Sequence, residues 1–148
     1  MSACLLDVNV LVALIWPAHE FHAKVQAWFA RNSRRGWATC PLTQAGFVRV
    51  VSNPAFSPDA VTPQEALTVL SANLKHRSHQ FWADAITVAE AAARFRGRIT
   101  GHQQVTDAYL LGLAVHHRGK LATLDRRLMA LLPEGAGEDA VVEMIHDS

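Results

Sequence analysis

Two aspartates of this sequence stand where an apolar stretch would otherwise continue. Asp7 interrupts the hydrophobic run of residues 5–12, and Asp125 directly follows the apolar segment 121–124. A buried carboxylate without a partner costs several kcal/mol, so each side chain needs a metal ion, a cationic side chain or strong hydrogen-bond donors. We therefore treat both as candidates for metal-ion chemistry.

A third acid, Asp107, belongs to the first turn of the apolar helical segment 103–111. If the three carboxylates converge, charges ~4 Å apart repel by on the order of 4 kcal/mol per pair at an effective dielectric constant near 20. Such a site needs a divalent cation, and purely oxygen ligands favour Mg²⁺ or Mn²⁺ over Zn²⁺.

Helix capping is the simpler interpretation of these acids. Aspartate is favoured at helix N-caps, which would account for Asp7 and Asp125 separately. In the same way, Asp107 would gain about 0.3–1 kcal/mol from the dipole of its helix. Two such caps at one edge of one sheet would be a coincidence, which favours the metal interpretation.

The positions of the acids depend on an alternation of short strands and helices. Hydrophobic periodicity and turn residues predict strands at 3–6, 37–40, 79–82, 121–123 and 141–145. They predict helices at 8–15, 19–32, 43–51, 62–75, 87–95, 103–117 and 125–132. This alternation indicates an α/β fold, a three-layer sandwich in which helices cover both faces of a short parallel sheet. Asp7 and Asp125 then follow strands at the carboxyl edge, where such sheets bind ligands.

Length and composition indicate one domain spanning residues 1–148. The 14 basic and 13 acidic residues give a net charge of +1, so a nucleic acid would have to be bound by local patches. Cys4 and Cys40 form no CxxC pair, which favours buried free thiols. No signal peptide and no apolar stretch of about 20 residues is evident, so we expect a soluble cytoplasmic protein.

Four segments in this order resemble the PIN-domain ribonucleases and, within them, the VapC-type toxins of toxin–antitoxin pairs. The matching segments are residues 5–11, 41–50, 101–111 and 121–125. The resemblance implies a PIN-like fold and a Mg²⁺- or Mn²⁺-dependent endoribonuclease. It assigns catalysis and metal binding to Asp7, Asp107 and Asp125, which would activate a water for in-line attack on an RNA phosphate.

The same resemblance points to further site residues. Asn9 and Thr123 look like polar residues that support the acids. Gln44 stands where the family usually has a glutamate, and its amide can accept a hydrogen bond or weakly ligate a metal but carries no charge. The number of metals therefore stays open. Arg126 and Arg127 directly follow an acid and are candidates for contacting a substrate phosphate.

Partners and alternatives follow from these features. The resemblance implies an RNA substrate, a small antitoxin that blocks the site, and a homodimer to which helices 19–32 and 62–75 could contribute. One alternative is a PIN-like protein that is catalytically weakened by Gln44 and acts by binding RNA or a partner. Another is a haloacid-dehalogenase-type phosphatase, whose DxD motif Asp7 begins, but Asn9 replaces its second aspartate.

Overall fold

The computed structural model describes residues 2–133 and 141–145, which contain a single five-stranded parallel sheet. The strand order is β3-β2-β1-β4-β5. The strands are β1 (Cys4–Leu6), β2 (Trp37–Thr39), β3 (His79–Phe81), β4 (Lys120–Thr123) and β5 (Val142–Met144).

Helices connect the strands. The α-helices are α1 (Val8–Ile15), α2 (His22–Asn32), α3 (Pro41–Val51), α4 (Pro63–Asn73), α5 (Val88–Ala92) and α6 (Val105–His116). Among the described residues, 3₁₀ segments span Ser33–Arg35, Ala93–Arg98, His102–Gln104 and Arg126–Leu131. None of the helices in the described residues is long and apolar enough to span a membrane.

Alternating side chains of β1 divide the core into two layers. Cys4 and Leu6 belong to the cluster that α1, α2, α3 and α4 build on one face of the sheet. Leu5 belongs to the cluster that α5 and α6 build on the other face. Helices thus cover both faces, and the predicted three-layer α/β fold is confirmed.

A close approach fixes α6 against α5. A Cβ atom added at Gly112 would overlap the backbone carbonyl group of Ala91. Only glycine allows the two helices to pack at this separation. The contact places α6, and with it the first-turn residue Asp107, against the sheet.

The order of the strands in the sheet determines where the acids lie. The chain runs from β1 outward through β2 to β3 and then returns to the other side of β1 for β4 and β5. The order therefore reverses between β1 and β4, which pair with Leu6 opposite Ala122. In open α/β sheets this switch point is where ligands bind.

Several predicted helix limits were wrong. α2 begins at His22 rather than residue 19, because residues 16–21 form turns in which His19 and His22 donate backbone hydrogen bonds to Trp16 and His19. The helix predicted at 87–95 ends at Ala92 and continues in 3₁₀ geometry. The helix predicted at 125–132 is also 3₁₀. The acidic segment 134–140 lies outside the residues that the structure describes.

Candidate active site

Asp7 lies at the carboxyl end of β1 and is only 8% exposed. Its Oδ1 accepts a hydrogen bond from the backbone N–H of Val8 at 2.8 Å, and its Oδ2 accepts one from Oγ1 of Thr123 at 2.8 Å. Its own backbone N–H donates to the carbonyl oxygen of Ala122 at 2.9 Å. Burial raises the pKa of Asp7, although the hydrogen bonds from Thr123 and Val8 oppose this shift.

Thr123, at the end of β4, joins several of these residues. Its hydroxyl oxygen accepts hydrogen bonds from the backbone N–H of Asp125 at 3.1 Å and from Nδ2 of Asn9 at 3.4 Å. With both acceptor positions used, its hydroxyl hydrogen is directed to Asp7. Oδ1 of Asn9 accepts from the backbone N–H of Leu124 at 3.3 Å. Asn9 and Thr123 therefore tie the start of α1 to the end of β4.

The negative charges of Asp7 and Asp125 act on the third acid, Asp107. It lies in the first turn of α6, and its pKa is raised to about 6, chiefly by burial and further by the charges of Asp7 and Asp125. Arg127 acts in the opposite direction and lowers this pKa. The structure thus brings the three predicted acids to one end of the sheet.

Asp125 already has a cationic partner. Nε of Arg127 lies 3.0 Å from Oδ1 of Asp125, and Nη2 lies 2.9 Å from Oδ2. The backbone N–H of Arg127 also donates to Oδ1 at 3.0 Å. The side-chain hydrogen bond from Arg127 is the main reason that the pKa of Asp125 lies below its ordinary value.

A cavity of about 460 Å³ opens beside these residues. Its lining consists of Gln103, Gln104, Asp107, Asp125, Arg127, Ala130 and Leu131. Asp7 is buried and is not part of this lining. The cavity has room for a phosphate group and the adjoining sugar.

Gln103 and Gln104 were missed by sequence reasoning. They precede Asp107 by four and three residues, the spacing that places side chains on one face of a helix. Oε1 of Gln104 accepts hydrogen bonds from the backbone N–H groups of Thr100 and Gly101 at 2.7 and 3.2 Å. Gln104 therefore orders the entry to α6, a task that its position three residues after Gly101 could have indicated.

Gln44 forms a hydrogen bond with Thr39 of β2. Its Nε2 donates to Oγ1 of Thr39 at 3.0 Å, and that oxygen lies 2.8 Å from Nε2 of His79. Among the hydrogen bonds of the described residues, none joins Gln44 to the three acids. A supporting role for Gln44 in the chemistry therefore stays a prediction.

The capping and metal interpretations are compatible. Asp7 is the N-cap of α1, and Asp125 caps the segment Arg126–Leu131. A cap uses only part of the four acceptor positions of a carboxylate. Both side chains can therefore cap a helix and still offer lone pairs to a cation.

Oxygen donors of this kind suit a hard divalent cation. Within residues 2–133 and 141–145, no three His, Cys, Asp or Glu side chains stand in a preformed metal-binding group. The charges of Asp7 and Asp125 nevertheless add to the effect of burial in raising the pKa of Asp107, and the guanidinium of Arg127 already stands at Asp125 as a cation. The residues fit a divalent cation that would offset this repulsion between the acids.

Comparisons with known proteins agree with this geometry. The family model described as PIN domain matches residues 4–131. Ribonuclease VapC38 of Mycobacterium tuberculosis is 45% identical over 127 residues, which cover 86% of this chain and 88% of the relative. Ribonuclease VapC39 of the same species is 43% identical over 124 residues, which cover 84% and 89%.

Solved structures share the fold. VapBC2 from Rickettsia felis, bound to a DNA fragment from its promoter, has a TM-score of 0.63 at 14% identity and covers 96% of this chain and 98% of that one. FitAcB from Neisseria gonorrhoeae has a TM-score of 0.57 at 20% identity and covers 94% and 95%.

The chain belongs to the PIN domain family. Its similarity to the Mycobacterium ribonucleases over most of its length makes it a VapC-type member of that family. The haloacid-dehalogenase alternative therefore has no support.

Proposed function

We propose that this protein is a divalent-metal-dependent endoribonuclease that hydrolyses RNA phosphodiester bonds in the cytoplasm, as the toxin of a type II toxin–antitoxin system. The observation that carries the proposal is the convergence of Asp7, Asp107 and Asp125 at the switch point of the sheet. The sequence identity to VapC ribonucleases supports the reaction and the substrate class.

In the proposed mechanism Asp7, Asp107 and Asp125 would hold Mg²⁺ or Mn²⁺. Such an ion, when bound, would stabilise the charge that develops on the phosphate during in-line attack by water. Thr123 fixes Asp7 through its directed hydroxyl group, and Asn9 holds Thr123 in place. The substrate phosphate enters the cavity beside Asp107 and Asp125.

Arg126 and Arg127 supply positive charge for the RNA backbone. Both lie at the start of the segment Arg126–Leu131, directly after the acid Asp125. The side chain of Arg127 is 87% exposed and lines the cavity, so it can reach a phosphate there. Guanidinium groups form bidentate contacts with phosphates, which suits them to this task.

A small antitoxin and a second copy of the chain are the proposed protein partners. The proposal of an antitoxin partner is supported by the solved structures that share this fold, which include VapBC2 and FitAcB. Exposed Leu67 and Val69 on α4 offer apolar surface of the kind that a homodimer would bury.

The decisive experiment compares RNA cleavage by the wild type and the Asp7→Asn variant in Mg²⁺ or Mn²⁺. Asn keeps the shape of the side chain but removes its charge, and we expect a loss of at least about 10²-fold in cleavage rate, as for disrupted metal sites. Asp59→Asn is the matched control, because Asp59 lies in an exposed loop away from the site. Equal cleavage by the wild type and Asp7→Asn would exclude the proposed mechanism.

The uncharged side chain of Gln44 supports a second candidate function, that of a binding protein with weakened catalysis. The amide carries no charge and donates to Thr39 instead of contacting the acids. RNA affinity that persists without cleavage in Mg²⁺, Mn²⁺ or Co²⁺ would support this candidate.

A further inference from the structure

The pair formed by Arg127 and Asp125 occupies both carboxylate oxygens of a candidate metal ligand. Nε and Nη2 of Arg127 contact Oδ1 and Oδ2 at 3.0 and 2.9 Å, and Nε lies 3.3 Å from Oδ2 as well. This is the two-point geometry that a guanidinium adopts with a carboxylate or a phosphate. Arg127 therefore uses lone pairs of Asp125 that a divalent cation at this carboxylate would also use.

The two partners differ in how firmly they are held. The side chain of Asp125 is 28% exposed, and its backbone N–H is fixed by Thr123. The side chain of Arg127 is 87% exposed. Ion pairs with so much exposure are weak, so the guanidinium can leave the carboxylate at little energetic cost.

A cation and a guanidinium compete for the same carboxylate. A divalent ion at Asp125 would place two positive charges beside the positive charge of Arg127, and they repel each other. A substrate phosphate in the adjoining cavity offers the displaced guanidinium an equivalent two-point partner. Each binding event then favours the other.

We propose that Arg127 is an exchangeable counter-ion, which pairs with Asp125 in the metal-free protein and moves to the RNA phosphate when a divalent cation takes that carboxylate. The inference rests on the proposed function and deepens it. It assigns to one residue two successive partners, an acid of the protein and a phosphate of the substrate. A purely structural residue would make no such exchange.

Removal of Arg127 should therefore shift two affinities in opposite directions. The competitor of the cation is lost, so Arg127→Gln should bind Mn²⁺ about two- to tenfold more tightly, a range set by the strength of exposed ion pairs and by the repulsion that is relieved. The phosphate contact is lost as well, so the KM for RNA in saturating Mn²⁺ should rise about three- to tenfold, with a smaller change in kcat.

The test is calorimetric titration of the metal-free protein with MnCl₂, followed by steady-state cleavage of a short single-stranded RNA. Arg31→Gln is the matched control, because it removes the same charge from an exposed position at the end of α2. Its Mn²⁺ affinity should stay within about 1.5-fold of the wild type, since α2 ends before the start of β2, at the edge of the sheet opposite the acids, and salt screens exposed charges.

The results separate this inference from the proposed function. Wild-type Mn²⁺ binding together with an Arg127→Gln affinity that is unchanged or weaker would overturn the exchange and leave the nuclease assignment intact. An equal tightening in Arg31→Gln would also overturn it, because net charge alone would then explain the effect. A wild type that neither binds Mn²⁺ nor cleaves RNA would overturn both.

Discussion

The hydroxyl group of Thr123 donates to Oδ2 of Asp7 across 2.8 Å and thereby joins the end of β4 to the start of α1. Both residues are buried. This bond is what allows a carboxylate to occupy the apolar centre of the sheet edge.

Thr123→Val should destabilise the protein and lower its cleavage rate. Valine has the shape of threonine but leaves Asp7, Asn9 and the backbone N–H of Asp125 without their shared partner. An unsatisfied buried polar group costs about 1–3 kcal/mol. Urea denaturation would measure the loss, and Thr123→Ser, which keeps the hydroxyl, should recover most of it. Equal stability of Thr123→Val and the wild type would contradict the assigned role of the hydroxyl.

The contribution of Asp107 to the stability of the metal-free protein should fall as the pH rises from about 4 to about 6. The pKa of Asp107 is raised from 3.8 to about 6 in the fold, so in this interval the folded state holds a proton that the unfolded state has released. Asp107→Asn removes the free-energy cost of ionising this carboxyl in the folded state. It should therefore raise the free energy of unfolding at pH 7 by about 1–2 kcal/mol, after allowance for solvent screening.

This pH prediction is checked by urea denaturation in EDTA at pH 4 and pH 7. The gain from Asp107→Asn should be present at pH 7 and much smaller at pH 4, where the folded acid is protonated and the unfolded acid, with its ordinary pKa of 3.8, is only partly ionised. Asp59→Asn, an exposed control, should show no such difference. A gain that does not depend on pH would mean that the charge of Asp107 is not its source.

Gly112→Ala should be among the most destabilising small substitutions in α6. The added Cβ would overlap the carbonyl of Ala91, and backbone atoms cannot move aside as a flexible side chain can. Overpacking of this kind costs typically about 1–3 kcal/mol. Thermal unfolding would show it against the control Gly97→Ala, whose new Cβ would meet no atom within 4 Å. A similar melting temperature for both variants would contradict the close contact.

Gln44→Glu should tighten binding of the divalent cation, because it adds a negative charge to the acids' surroundings. The substitution also removes the N–H that donates to Thr39. The hydroxyl group of Thr39 can then donate either to the new carboxylate or to Nε2 of His79. Calorimetric titration with Mn²⁺ measures the effect. An unchanged titration would count against an orientation of residue 44 toward the site.

The two strand-end acids were predictable because charge in an apolar run is conspicuous. Asp7 and Asp125 interrupt hydrophobic segments, and the alternation of strands and helices predicted the parallel sheet that brings their ends together. The free buried state of Cys4 and Cys40 is confirmed as well. Patterns of buried residues of this kind can be recognised in the local sequence.

The pairing of Arg127 with Asp125 was not predictable in the same way. In an α-helix, residues two apart do not face each other, and an α-helix was predicted there. The chain instead leaves Asp125 in an extended conformation before a 3₁₀ segment, which turns both side chains to one side. Strand order also depends on which distant segments pair, and no local pattern specifies that choice.

The bond between Asp7 and Thr123 spans 116 residues of chain. During synthesis, the first strand leaves the ribosome long before the residue that completes its carboxylate environment. A nascent or truncated chain that ends before β4 has no donor for Asp7 and no Asp125. The hydrogen-bonded surroundings of this buried carboxylate can therefore form only after β4 has been synthesised.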